Sequence, residues 1–514
     1  MRNHQPVLRG WIVLLLVLLL APQVAFAQRG ALRGLDSYIE KGMREWDIPG
    51  LAIAVVKDDS VVYARGFGVR EVGKSERVDA NTLFAIGSAS KAFTAAAVAL
   101  LVDEGKVKWD DPATQHLPSL QLFDPYATRE LSVRDLLSHR SGLARGDQVW
   151  YATEFDRDEI LRRVRFLAPS WSFRSQFGYQ NLMYLAAGEV VEEVGGRSWD
   201  DVVTERIFQP LGMRASNTST SALQGRENVA TPHAKIEKQV RLIPYRNIDN
   251  IAPAGSINSN VMEVAQWVRL QLGRGEYRGQ RLLSDSVIRE MQTPQVIIRR
   301  EGGWELMAPT SDFLMYGLGW FLNDYRGRKV VQHGGNIDGM HALVGMLPEE
   351  RLGVVILTNL SPNYLTYAVM HRVFDGYLGA QPTDWSRRLL TSFDSLRAIG
   401  EAQQKRGEEA RVAGTQPPLA RERYAGTYTH EMYGDAVVEH EGGRLVLRRG
   451  PAFVADLEHW HHDTFRANWR DAALGRSFVM FTLDPTARVS KLEVQGLAEF
   501  RRAPDASATA GRQP

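Results

Sequence analysis

Apolar and polar positions divide the chain into two stretches of different character. From about Ala31 onward, short strand-like runs alternate with longer helix-like ones. Gly50-Leu-Ala-Ile-Ala-Val-Val56 and Ser60-Val-Val-Tyr-Ala-Arg-Gly66, joined by Lys57-Asp-Asp59, predict a β-hairpin. Ser88 to Glu104 is rich in alanine and leucine and almost uncharged after Lys91, which predicts a helix buried on most of its faces. Apolar strands return at Lys329–His333 and Leu352–Thr358, the second β-rich and nearly uncharged. A helical middle therefore lies between sheet-forming ends.

Thr383 to Arg411 is charged and helix-favouring, and Gly414-Thr-Gln-Pro-Pro418 then breaks the pattern. Beyond that break come short strands set off by glycine, proline or aspartate: 424–428, 436–440, 444–447, 478–483 and 491–494. The organisation expected is a large unit over 31–380, a helical linker over 381–418, a small all-β unit over 419–503 and a loose tail over 504–514. The chain has no internal repeat.

Composition narrows the class. At 514 residues, 44% hydrophobic and 24% charged, the chain can bury a large core and exceeds one ordinary domain. Arg2 and Arg9 precede or flank an apolar run from Trp11 to Ala21, and Ala25-Phe26-Ala27 has the small-x-small form of an export cleavage site. That run is about half of the roughly 20 residues a membrane-spanning helix needs, so residues 1–27 are expected to be a removed signal peptide. The mature chain would begin at Gln28 and be periplasmic or secreted, with no stable membrane span. Without that leader, basic and acidic residues balance at 60 each, which supplies no electrostatic footprint for nucleic acid. Cysteine is absent, excluding disulfides, thiolate nucleophiles and cysteine-rich zinc sites.

Three short motifs carry candidate chemistry. Ser88-Ala-Ser-Lys91 opens the apolar helix, and a spacing of three puts the lysine one turn after the serine on the same face. A serine hydroxyl needs a base, and a desolvated lysine can lose its proton readily enough to serve. Free N–H groups at the helix start suit an oxyanion. Tyr179-Gln-Asn181 offers a phenol and an amide to one cleft, for proton relay and for orienting lysine and substrate. His333-Gly-Gly-Asn336 follows a strand, where glycines let a substrate backbone lie close and a further N–H can complete an oxyanion hole. Taken singly, each has a plain structural explanation: a helix cap, a buried tyrosine, a turn.

In their order and content these motifs resemble the serine β-lactamases and penicillin-binding proteins, which carry Ser-x-x-Lys, Ser/Tyr-x-Asn and Lys/His-x-Gly. The class C-like branch, with its esterases, D-aminopeptidases and D,D-carboxypeptidases, is the most similar, through Leu136-Leu-Ser-His-Arg-Ser-Gly-Leu143, Pro210-Leu-Gly-Met213, Pro253-Ala-Gly-Ser256 and Tyr316-Gly-Leu-Gly-Trp320. The resemblance, over roughly Ala31–Gly379, implies an α+β fold: a β-lactamase/transpeptidase-like antiparallel sheet flanked by helices, with a helical subdomain. The C-terminal unit resembles the lipocalin-like β-barrel appended to some of these hydrolases, where it assembles homo-oligomers or shields the cleft.

Carried over motif by motif, Ser88 would form an acyl-enzyme, Lys91 and Tyr179 would share the proton work, and Asn181 would hold lysine and substrate. The N–H groups of Ser88 and Asn336 would form the oxyanion hole, with His333 and Gly335 at the substrate edge. Histidine stands at 333 where antibiotic-hydrolysing relatives have lysine, and imidazole is mostly uncharged at neutral pH. The expected substrate is therefore a small ester or amide or a short peptide, including D-amino-acid peptides and cell-wall fragments. A class C-like β-lactamase and a non-turnover penicillin-binding or sensing protein are the alternatives.

No cofactor or metal is expected. His459-Trp-His-His-Asp463 gathers imidazoles, but in a strand His459 and His461 share a face that His462 does not. His139 is expected to be packed and hydrogen-bonded, Gly66-Phe-Gly68 lacks the helix a nucleotide loop needs, and Asp103-Glu104 and Glu401–Arg411 read as solvated helix faces.

Overall fold

The computed structural model describes residues 30–504. The expected leader over 1–27 and all but the first residue of the expected tail over 504–514 lie outside them. Helix α1 (Leu35–Trp46) buries Leu35, Ile39, Met43 and Trp46, a spacing of three and four that defines one helical face. It leads into β1 (Gly50–Lys57) and β2 (Ser60–Gly68), the expected hairpin. At its turn Asp58 and Asp59 adopt φ of 49° and 64°, the left-handed geometry that tight hairpin turns need and that short carboxylate side chains tolerate.

The sheet continues with β3 (Val296–Ile297), β4 (Leu314–Tyr316), β5 (Phe321–Tyr325), β6 (Arg328–Ile337), β7 (Met340–Leu347) and β8 (Leu352–Thr358). Its order is β2-β1-β8-β7-β6-β5-β4-β3, and every neighbouring pair is antiparallel. β1 is apolar without interruption because both its faces are covered. Leu51, Ile53 and Val55 join one core, and Ala52, Ala54 and Val56 the other.

Helices α2 (Lys91–Asp103), α3 (Asn181–Gly195) and α4 (Val261–Leu272) build the core on one side. The other side is covered by α1, by α5 (Leu365–Tyr377) and by the start of α6 (Trp385–Glu409). α2 is buried from Lys91 to Leu101. Its small alanines let neighbours close in on all sides, and Phe93 stacks on Trp267 of α4 with ring centroids 4.3 Å apart.

The C-terminal unit is a closed barrel of eight antiparallel strands between Gly426 and Arg502. Three of them, Phe453–His461, Thr464–Trp469 and Ala498–Arg502, were not among the strands read from the sequence. Asp456, Glu458 and Arg466 dilute the hydrophobicity of the first two, yet period two survives in buried Phe453, Ala455 and Leu457. The barrel interior is a packed core of Tyr428, Leu447, Phe465, Phe481, Leu492 and Phe500. The α+β catalytic fold and the appended all-β barrel are both as expected. One local reading is corrected: His333-Gly-Gly-Asn336 does not follow a strand but lies inside β6, paired with β7 from His333↔Val344 to Asn336↔His341. Glycines in an edge-like position looked like a turn; here they let the strand pass close to another backbone.

Candidate active site

Ser88 sits in a 3₁₀ turn, Gly87–Ser90, immediately before α2. Gly87 has φ 51°, and a Cβ there would lie 2.9 Å from the Asn336 nitrogen. A Cβ on Gly335 would lie 1.8 Å from the Ile86 carbonyl oxygen and 2.8 Å from the Ser88 nitrogen. Only two facing glycines allow β6 to run this close to the serine turn. The backbone nitrogens of Ser88 and Asn336 are thereby brought to one place. Ser90 fixes the turn by donating to the Gly87 carbonyl at 2.7 Å and accepting from the Ile257 N–H at 3.2 Å.

Lys91 is fully buried. Its Nζ donates to Asn181 Oδ1 and to the Ala254 carbonyl, each at 2.7 Å, and lies 3.1 Å from Ser88 Oγ. Two of these partners are oxygens that only accept. A neutral amine satisfies both with its two hydrogens, and its lone pair then meets the Ser88 hydroxyl. Burial holds the lysine's proton affinity well below that of an exposed lysine; the Asp147 carboxylate opposes this and the Arg145 guanidinium adds to it.

The orientation of Asn181 has a cause that the sequence reading missed. Asp147 Oδ1 accepts from Asn181 Nδ2 at 2.8 Å and from the Trp150 indole at 2.9 Å, while Oδ2 accepts from Arg145 Nε at 2.6 Å. A carboxylate only accepts, so the amide nitrogen must face it and the amide oxygen must face Lys91. Asp147 and Arg145 lie just beyond the phrase Leu136–Leu143. The one signal for them was a pair of opposite charges flanking Gly146, within four residues of that phrase.

Tyr179 is also brought to the site. Its ring centroid is 4.9 Å from Lys91 Nζ, 5.3 Å from Arg145 Cζ and 4.2 Å from the His139 ring. Burial pushes the phenol's pKa up, more than its hydrogen bond with Ser88 pulls it down, so it is a neutral phenol. His139 is packed, as expected, with Nδ1 accepting from the Gln180 N–H at 3.0 Å. His333 is 1% exposed. Burial, with Lys91 nearby, pushes its pKa down to about 3. Its Nδ1 faces the Gly334 carbonyl at 2.6 Å, which requires the proton there, so Nε2 accepts from the Tyr316 hydroxyl at 3.0 Å. The residue is a neutral imidazole.

Ser88 and Asn181 open onto a cleft of about 420 Å³ lined also by Arg145, Asn336 and the apolar side chains of Ile243, Ile248, Ile251 and Ile337. Ala473 of the C-terminal barrel also lines it. The barrel turn that carries Ala473 is tied down by Arg246, which bridges Asp338 at 2.8 Å and Asp471 at 3.0 Å. Other barrel turns rest on the segment after Asp147: Phe453 meets Tyr151 with centroids 6.0 Å apart, and the Glu431 carbonyl accepts from Arg163 at 2.6 Å. The His459 cluster lies elsewhere on the barrel, with His459 Nε2 3.0 Å from the His462 carbonyl and His461 Nδ1 accepting from the Val412 N–H at 3.3 Å.

A buried amine between an amide oxygen, a carbonyl and a serine hydroxyl, set beside a two-nitrogen cradle on an antiparallel sheet, places the molecule among β-lactamase-fold hydrolases. The chain belongs to the Beta-lactamase family, whose model matches residues 35–372. Residues 410–510 match a domain of unknown function, DUF3471. The chain is similar to the Unguisins hydrolase ungD of Aspergillus violaceofuscus, 28% identical over 473 residues that cover 84% of this chain and 81% of that protein. It is also similar to Protein flp of Staphylococcus aureus, 21% identical over 66% of this chain and 65% of that one. The fold is that of the octameric penicillin-binding protein homologue from Pyrococcus abyssi, with TM-score 0.60 and 24% identity over 91% of this chain and 99% of that structure. SurE shares it with TM-score 0.54 and 19% identity over 92% and 99%.

Proposed function

We propose that this chain is an exported serine hydrolase that cleaves an ester or amide through an acyl-enzyme on Ser88. The observation that carries this reading is the placement of Lys91 Nζ, both of whose fixed partners accept and whose third direction is Ser88 Oγ. The neutral amine takes the Ser88 proton as Oγ bonds to the substrate carbonyl carbon, and the N–H groups of Ser88 and Asn336 receive the oxyanion. The carbonyl re-forms as the leaving group departs with a proton relayed through Lys91 and Tyr179. Water then attacks the acyl carbon, gives its proton to the same groups, and frees Ser88 and the acid.

Neutral His333 favours ester or peptide substrates over β-lactams, because the cation that receives the antibiotic carboxylate in lysine-bearing relatives is missing at that position. Lys91 and Tyr179 stand together at Ser88, which supports turnover rather than permanent acylation. The similarity to a protein named a hydrolase points the same way. The leader-like residues 1–27 support export.

The test is a fluorophosphonate probe followed by peptide mapping, beside a panel of p-nitrophenyl esters, D- and L-aminoacyl anilides and a cephalosporin. The adduct is expected on the Ser88 peptide, with turnover of esters or anilides and little of the cephalosporin. An adduct on another residue overturns the assignment.

Gly335→Ala is expected to lower kcat/KM by roughly 10²- to 10³-fold, the scale of losing one oxyanion donor. The added methyl collides with the Ile86 carbonyl, a backbone atom that cannot swing aside, so β6 must withdraw Asn336 from Ser88. Kinetics with an activated ester check this, and a melting curve shows whether the strand itself stays paired.

A further inference from the structure

The charged groups around the cleft are unequally engaged. Asp338 accepts from the Tyr151 hydroxyl with both oxygens, at 2.6 and 2.8 Å, and from Arg246. Asp147 accepts from Asn181, Trp150 and Arg145. Both carboxylates are thus saturated by the protein. Lys91 is a neutral amine wholly committed inward, and among the cations Arg246 is tied to Asp338 and Asp471. His333 carries no charge.

Arg145 is different. Its Nε is held by Asp147 and its guanidinium lies over the Tyr179 ring, yet among the described residues neither Nη1 nor Nη2 has a hydrogen-bond partner. The side chain is 62% exposed and lines the same cleft as Ser88 and Asn181. A guanidinium pinned at one nitrogen and backed by an aromatic face has lost most of its rotamer freedom before any ligand arrives. Its two remaining nitrogens form the planar fork that pairs with a carboxylate.

We propose that Arg145 anchors a carboxylate on the substrate, so that the chain prefers esters or amides bearing one negative charge near the scissile carbonyl. The inference rests on Ser88 being the nucleophile, and it locates the anionic group at Arg145 rather than at His333. It is a specificity role. The uncharged remainder of the substrate lies along Ile243, Ile248, Ile251 and Ile337.

Two matched pairs of substrates test it on the full chain. p-Nitrophenyl hemisuccinate against p-nitrophenyl butyrate places the charge on the acyl side, and 3-acetoxybenzoate against 3-acetoxybenzamide places it on the leaving group. The readout is the ratio of kcat/KM within a pair, from which any loss shared by both members cancels. The wild type is expected to favour the anionic member of at least one pair, and Arg145→Gln to lower that ratio roughly 10- to 100-fold, with Arg145→Lys between them. The preference should weaken as salt rises. Ratios that stay within threefold in Arg145→Gln, or a wild type that favours the neutral member of both pairs, overturn the proposal. If Ser88→Ala retains turnover of these esters, the failure lies in the nucleophile; if it is silent while the ratios do not move, only the Arg145 anchor falls.

Discussion

Ser88→Ala is expected to reduce turnover of every substrate by about 10⁴- to 10⁶-fold, the loss seen when a covalent nucleophile is removed and only binding and oxyanion contacts remain. The fold should be unaffected. Ser88 is half-buried, its Oγ is one of three Lys91 partners, and the two stronger contacts, at 2.7 Å to Asn181 and Ala254, stay in place. The melting temperature is therefore expected within a few degrees of wild type, and substrate should still bind. Rapid-quench mass spectrometry with an activated ester should show the acyl adduct in the wild type and none in the variant. An adduct that persists in Ser88→Ala would place the nucleophile elsewhere.

What the sequence showed of this site follows from the range of the interactions involved. Ser88 and Lys91 are one turn apart, so a local spacing sufficed to join them. The hairpin at Gly50–Gly66 and the strand Leu352–Thr358 were legible because period and length are local properties. Arg145 and Asp147 were not legible, since what gives Asp147 its meaning is Asn181, 34 residues away. The His-Gly-Gly-Asn stretch was placed after a strand and not inside one because the partner that demands glycine, the Ile86–Ser88 backbone, is almost 250 positions earlier. The residues that dock the barrel at the cleft were hidden for the same reason: Arg246 and Asp471 meet across 225 residues.

The barrel interior is filled by Tyr428, Phe465, Phe481 and Phe500, so it works through its outside. Its functional surface is the set of turns that rest against Tyr151, Arg163 and Arg246. Those turns support the segment that holds Arg145 and Asp147, and one contributes Ala473 to the cleft wall. The barrel therefore forms part of the cleft wall from outside its own core.

The second large effect concerns Lys91, where function and stability are expected to separate. Lys91→Met keeps an unbranched side chain of similar length in the same buried channel. Activity should fall about 10³- to 10⁴-fold, since among the described residues no other group within reach of Ser88 Oγ can take its proton at neutral pH. Tyr179 cannot substitute, because burial has raised its pKa. Stability should respond in a pH-dependent way whose sign is fixed. The folded protein holds Lys91 well below its ordinary value of 10.5, so between the depressed value and the unfolded one the unfolded chain binds more protons. Wild-type stability must then rise with pH across that window. The penalty for carrying the amine is complete below the folded pKa, at about 1.4 kcal/mol per unit of depression, and vanishes above the unfolded one. Lys91→Met lacks this term but leaves Asn181 Oδ1 and the Ala254 carbonyl short of a donor, a cost that does not vary with pH. Relative to wild type, the variant should therefore be at its best at the acid end and lose ground steadily toward pH 10. Denaturant titrations at several pH values measure the difference directly. A difference that stays flat across that range would mean that Lys91 is protonated in the folded enzyme and cannot be the base.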